Sequence, residues 1–208
     1  MKYKILSLFL LIFIIAPLYA KTILVLGDSL SAAYGIDTKE GWVTLLNSKL
    51  KENNYNYQIV NLSASGDTTR NGLSKLAHAL KNYHPDIIII ELGANDGLRG
   101  LSIAEMKVNL EKMITESQKM DTKVLLIATQ LPPNYGPIYL EKFANVYKEL
   151  ATQYQISVVP MFLEGVAGDS QLMQKDGLHP NQKAQARILA NIWPTLRPLL
   201  VNSQTPKP

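Results

Sequence analysis

Ile23-Leu24-Val25-Leu26-Gly27-Asp28-Ser29-Leu30-Ser31 decides the reading of this chain, because four aliphatic residues run into a glycine and then offer a hydroxyl. Consecutive aliphatics with β-branching among them, closed by Gly-Asp, predict a strand buried on both faces that ends in a tight turn. In open α/β sheets ligands bind at the carboxyl ends of the strands, so Ser29 falls where chemistry is done. Asp28 or Ser29 reads equally as the N-cap of a following helix, a role both residue types favour. The rest of the chain has to separate these two readings.

Working outward, residues 57–62, 87–90, 124–128 and 156–159 are further predicted strands, the clearest being Ile87-Ile88-Ile89-Ile90. Between them, apolar residues at helical spacing predict helices over 41–51 (Trp42, Leu45, Leu46, Leu50), from Thr68 (Leu73, Leu76, Ala77, Leu80), over 103–117 and over 140–151. A last helix is predicted over 181–200, with Pro194 expected to kink or interrupt it. Pro132-Pro133 makes residues 131–137 a loop, and residues 164–170 have no period and read as loop. Strict alternation of strand and helix predicts an α/β fold, a three-layer α/β/α sandwich around a mostly parallel five-stranded sheet of flavodoxin-like type.

The 208 residues, 47% hydrophobic and 18% charged, suit one domain with a substantial core. Lys2 and Lys4, an apolar run over 5–15, and Ala16-Pro17-Leu18-Tyr19-Ala20 follow the order of a secretory signal. The expected division is therefore a signal peptide over 1–20, a domain over 21–201 and a disordered tail over 202–208, in a periplasmic or secreted protein. An uncleaved anchor fits less well, since the run is shorter than the roughly 20 residues of a spanning helix and Pro17 interrupts it. The formal net charge of +4 includes Lys2 and Lys4 and falls to +2 without them. No basic patch for nucleic acid remains. Absence of cysteine excludes disulfides, thiol nucleophiles and thiolate metal sites. No metal or other cofactor is expected, and a monomer is.

In a parallel sheet the turns after the first three strands bring Ser29, Gly66 and Asn95 to one edge, and the loop carrying Asp176 and His179 can reach it from before the last helix. A hydroxyl nucleophile, an imidazole base, a carboxylate to orient the base and donors for an oxyanion are the parts of an acyl-transfer site. His179 would take the Ser29 proton and Asp176 would hold the imidazole. The backbone N–H groups of Ser29 and Gly66 and the Asn95 amide would receive the oxyanion. Each residue has a structural alternative: His179 as a helix-entry residue, Asp176 as a turn former before Gly177, Asn95 as a cap, Gly66 as a positive-φ position. Their joint occurrence at four such turns favours the chemical reading. His78, in a helix, and His84, at a strand's entry, are placed worse as bases.

Gly27-Asp28-Ser29-Leu30-Ser31, Gly66-Asp67, Gly93-Ala94-Asn95-Asp96 and Asp176-Gly177-Leu178-His179-Pro180 resemble, in order, the four motif blocks of the SGNH, or GDSL, hydrolases. The stretch from Glu91 to Gly100 and Pro133-Asn134-Tyr135-Gly136 are similar to the bacterial thioesterase, lysophospholipase and arylesterase branch of that family. The resemblance implies a three-layer α/β/α fold, the roles given above, and activity on acyl esters and thioesters such as lysophospholipids, aryl esters and acyl-CoA-type substrates. Gln130 and Pro133 depart from that branch's usual loop, so its chain-length preference is not carried over. Leu131, Met161 and Phe162 favour an apolar acyl chain over a carbohydrate O-acetyl ester. A phosphate- or nucleotide-binding module on the same sheet lacks a glycine-rich phosphate loop.

Overall fold

Lys21–Gly27 forms β1, and its side chains alternate between two separate cores, Ile23 and Val25 on one side, Leu24 and Leu26 on the other, all buried. The computed structural model of the chain describes residues 20–201. All of the predicted signal peptide but Ala20, and the predicted tail, lie outside the described residues. Two-sided burial explains why β1 reads as an unbroken apolar run rather than an alternation with polar residues. Strand β3 (Ile87–Glu91) divides its four isoleucines in the same way, and β4 (Lys123–Ile127) follows suit. Each of these isoleucines is fully buried, worth roughly 1.5–3 kcal/mol against exposure. The edge strands β2 (Tyr57–Asn61) and β5 (Ser157–Val159) are less buried.

The sheet order is β2-β1-β3-β4-β5, and every pairing is parallel. Helices α1 (Trp42–Glu52) and α6 (Gln185–Leu196) cover one face through Trp42, Leu46, Leu50, Ile188 and Ile192. Helices α2 (Thr69–Tyr83), α4 (Ile103–Gln118) and α5 (Pro137–Tyr154) cover the other, with Leu76, Leu110, Met113, Phe143 and Tyr147 in its core. Right-handed crossovers produce this split, because the chain first moves outward from β1 to β2 and then reverses past β1 to β3. The reversal creates a switch point at the carboxyl ends of β1 and β3, the place where such sheets bind ligands.

Several local expectations are corrected. Neither Asp28 nor Ser29 caps a regular helix: turns follow Ser29, and the next regular segment is a 3₁₀ turn at Thr38–Glu40 capped by Asp37. A short helix, α3 (Ala94–Leu98), forms directly after β3 where only a turn or cap was expected. Pro194 does not end the last helix, which runs on to Leu196 and passes into a 3₁₀ turn. So close to the end of the helix, the missing Pro194 N–H removes one bond without breaking the following turn. Leu131 and Phe162 are core residues, packed in the two opposite cores, so only the half-exposed Met161 of that trio faces solvent. Residues 164–170 form successive turns that bury Val166.

Candidate active site

The end of β1 is held from three directions. Gly27 is required by close approach rather than by its φ, since a Cβ there would lie 2.6 Å from Ser31 Oγ and 2.9 Å from Glu91 Oε2. Asp28, 1% exposed, accepts a hydrogen bond from the Leu30 N–H (3.0 Å), and the Ala32 and Tyr34 N–H groups close the turn onto the carbonyls of Asp28 and Ser29. Ser29 is thereby presented at the tip of a rigid strand with its Oγ free to face a partner from elsewhere in the chain.

That partner is His179. The loop carrying it is pinched by a bridge between Met173 and Pro180, and the Gln174 N–H donates to the His179 carbonyl (2.7 Å). Gln174 Nε2 also donates to the carbonyls of Tyr34 (2.8 Å) and Pro180 (3.0 Å), tying the histidine loop to the serine turn. Gly177, at φ +70°, lets the chain double back so that Asp176 Oδ1 accepts the N–H groups of Leu178 (2.9 Å) and His179 (3.0 Å). The other oxygen, Oδ2, lies 2.7 Å from His179 Nδ1, and His179 Nε2 lies 2.9 Å from Ser29 Oγ. Burial would raise the Asp176 carboxyl, but the two N–H groups and the imidazole outweigh it and hold it down at about 2. An ionised Asp176 is acceptor-only, so Nδ1 carries the proton that donates to it and Nε2 of the neutral ring accepts from the serine hydroxyl.

Tyr34 leans over the imidazole with ring centroids 4.5 Å apart, and together with Ala33, Ile36 and Pro180 it lines a small cleft beside Ser29. Tyr34 of this cleft is 51% exposed, and Leu178, next to the histidine in sequence, is 44% exposed. Neither Tyr34 nor Gln174 stood out in the sequence, because a tyrosine after a serine turn and a glutamine in a loop have no spacing that betrays a tertiary contact.

Gly66 and Asn95 reach the same edge. The segment after β2 continues the ladder, with the Ala64 N–H donating to the Gly27 carbonyl (3.2 Å), and this draws Gly66, at φ +82°, toward the end of β1. Arg99 Nη2 donates to the Gly66 carbonyl (2.9 Å). Among the described residues the backbone N–H groups of Ser29 and Gly66 donate to no protein acceptor. The Asn95 amide donates to Asp28 Oδ2 (3.0 Å) and to the Asp67 carbonyl (3.0 Å), so both its hydrogens are engaged. His78, paired with Asn82 on the exposed side of α2, and His84, the left-handed C-cap of α2, take no part in this cluster. Among the described residues no group of His, Asp and Glu has the arrangement of a metal site, and no helix is long and apolar enough to cross a membrane.

Comparison with known proteins places the chain in a family. The model of the GDSL-like lipase/acylhydrolase family matches residues 25–187. Esterase TesA of Pseudomonas aeruginosa is 51% identical over 181 residues, 87% of this chain and 90% of that protein. Thioesterase 1/protease 1/lysophospholipase L1 of Escherichia coli K12 is 38% identical over 193 residues, 93% of this chain and 91% of that protein. A crystal structure of TesA superposes with a TM-score of 0.85 at 50% identity, covering 86% of this chain and 100% of that one. With the match running from the end of β1, just before Ser29, past the loop that carries His179, this chain belongs to the GDSL-like lipase/acylhydrolase family of carboxylic ester hydrolases.

Proposed function

We propose that this chain cleaves acyl esters and thioesters by way of an acyl-enzyme on Ser29, with His179 as general base and Asp176 as its orienting carboxylate. The observation that carries the reading is the unbroken relay from Ser29 Oγ through the imidazole to Asp176, with contacts of 2.9 and 2.7 Å. His179 Nε2 accepts the Ser29 proton as Oγ bonds to the acyl carbon. As the tetrahedral intermediate collapses, the carbon–oxygen or carbon–sulfur bond breaks and the imidazolium returns that proton to the departing alcohol or thiol. Water then attacks the acyl-enzyme, gives its proton to His179, and releases the acid and the serine.

The oxyanion forms within reach of the Ser29 and Gly66 N–H groups and of Asn95. Of the two Asn95 amide hydrogens, the one on the Asp67 carbonyl is the one to be shared with the oxyanion, since a neutral carbonyl holds a donor less strongly than the Asp28 carboxylate does. Asn95→Ala should therefore lower kcat by about 10²–10³-fold with a much smaller change in KM. Steady-state kinetics on one chromogenic ester check this, and a loss confined to KM would remove Asn95 from the oxyanion role.

Lysophospholipids, aryl esters and acyl-CoA-type thioesters are the proposed substrates, the first and the thioester class being in keeping with the name of the Escherichia coli relative. Leu131 and Phe162 are core, so the apolar side chains beside Ser29 are those of its cleft, Leu30, Ala33, Tyr34 and Ile36. Hydrolysis of p-nitrophenyl esters of increasing acyl length, with Ser29→Ala as the blank, tests the reading. We expect kcat/KM to rise beyond acetyl; activity restricted to acetyl esters would select the carbohydrate O-acetyl esterase instead. Export to the periplasm or beyond, with residues 1–20 removed, completes the proposal and rests on the amino-terminal sequence alone.

A further inference from the structure

Directly beneath the nucleophile lies a carboxyl group that the mechanism above does not use. Glu91 ends β3, pairs in register with Gly27 and is 0% exposed. Its Oε2 accepts from Ser31 Oγ (2.7 Å) and from the Asp28 N–H (3.3 Å), and it occupies the space that a Cβ on Gly27 would need. Among the described residues its Oε1 accepts no hydrogen bond. Asp28, also buried, adjoins it and accepts from Asn95 Nδ2. A line of contacts thus runs Glu91, Asp28, Asn95, passing under Ser29. No Lys or Arg among the described residues forms an ion pair with either acid. Two adjacent buried carboxylates without a cation are not a stable arrangement, whereas a carboxylic acid beside a carboxylate is.

We propose that Glu91 is a positioning residue for hydrolysis: as a neutral carboxylic acid under the Gly27-Asp28-Ser29 turn, it holds Asp28, and through Asp28 the Asn95 amide, in the arrangement that receives the oxyanion. The proposal rests on the serine-hydrolase reading. Burial and then the Asp28 charge push the Glu91 carboxyl well above its usual range. Burial also raises Asp28, to about 6, but it is held from rising further by the Leu30 N–H, by His179, and by hydrogen bonds to Glu91 and Asn95. The proton of the pair therefore rests on Glu91, and Asp28 carries the charge that orients Asn95. Other groups face the pair from neighbouring elements. His179 faces Asp28 from the loop before α6. Tyr147 of α5, whose hydroxyl is raised by burial, donates to the Leu92 carbonyl, and Asp96 of α3 is held by the Thr69 N–H and hydroxyl. None of these supplies a fixed positive charge that would let both acids ionise.

The test compares kcat and KM on a p-nitrophenyl ester from pH 5 to 10 for the wild type, Glu91→Gln and Glu91→Ala, with Ser29→Ala as control. Glu91→Ala should lose about 10–100-fold in kcat with KM within about threefold, the pattern of an interaction that serves the transition state. Glu91→Gln, a neutral isostere that can donate to Asp28 and accept from Ser31, should restore kcat to within about threefold near neutral pH. Its kcat should not fall where that of the wild type falls through loss of the Glu91 proton, whose hold burial strengthens. Thermal unfolding should follow the same sign. Carboxyls raised in the folded state favour folding below about pH 4 and lose that contribution as pH rises through their folded values, so the Glu91→Gln melting temperature should decline less toward high pH. Full activity in Glu91→Ala, failure of Glu91→Gln to restore kcat, or a Glu91→Gln profile superimposable on the wild type would each overturn the proposal. Should Glu91→Ala fail to fold, the Glu91→Gln profile alone decides. Retained turnover in Ser29→Ala would instead defeat the serine-hydrolase reading, a result distinguishable from failure at Glu91.

Discussion

Ser29→Ala should reduce kcat by about 10⁶-fold while leaving the fold intact, and His179→Ala should do nearly as much damage. The reason lies in the shared hydrogen bond between Ser29 Oγ and His179 Nε2. A serine hydroxyl is a weak nucleophile until a base removes its proton, and the base has nothing to do once the hydroxyl is gone. The two residues act as one device, so the double variant should be scarcely worse than either single one. Turnover of a p-nitrophenyl ester, with melting temperature as a check on folding, measures this. Turnover that survives in the residual background would come from the oxyanion donors and substrate binding. Small and equal losses at Ser29, His179 and Asn95 would show instead that their contacts merely stabilise the sheet edge.

Asp176→Asn should cost about 10⁴-fold in kcat, and its geometry makes this a sharper test than alanine. Asp176 Oδ1 accepts two backbone N–H groups, from Leu178 and His179. An asparagine must keep its carbonyl oxygen on those donors, which turns its amide toward His179 Nδ1. The amide then donates to Nδ1 and drives the ring proton to Nε2, where it faces Ser29 and blocks proton abstraction. The loop should stay folded, with a melting temperature close to that of the wild type, while activity falls. Asp176→Ala loses the loop hydrogen bonds as well and should be less stable. Because the Asp176 carboxyl is held down to about 2, its stabilising contribution is present above the ordinary carboxylate range and is lost only as pH falls toward that value. An Asp176→Asn enzyme within tenfold of wild type would remove the carboxylate from the mechanism.

Much of this protein was legible before any coordinates. Ile23-Leu24-Val25-Leu26 and Ile87-Ile88-Ile89-Ile90 could be read as central strands because burial on both faces leaves no room for polar alternation. Ser29, Gly66 and Asn95 could be placed on one edge because parallel strands put all their carboxyl ends together. Other readings failed where local pattern and tertiary context diverge. Leu131 and Phe162, apolar in loop-like surroundings, looked like an acyl groove but fill the two cores. Residues 94–98 form a helix too short to show a period.

Glu91 marks the boundary most clearly. In the sequence it reads only as a charged residue closing an apolar strand. Its burial against Gly27, Asp28 and Ser31 depends on β3 lying beside β1, a neighbour relation across 60-odd residues that no local pattern encodes. The distance between His179 and Ser29, and the Gln174 bridge from that loop to Tyr34, are of the same kind. By itself the sequence determined the alternation of elements, the sheet edge and the residue types of the site, since these follow from hydrophobic period and turn chemistry. Only the tertiary structure decided the strand order, which faces close on which cores, and the hydrogen-bonded relay with the buried acid beneath it, since those depend on contacts between residues distant in the chain.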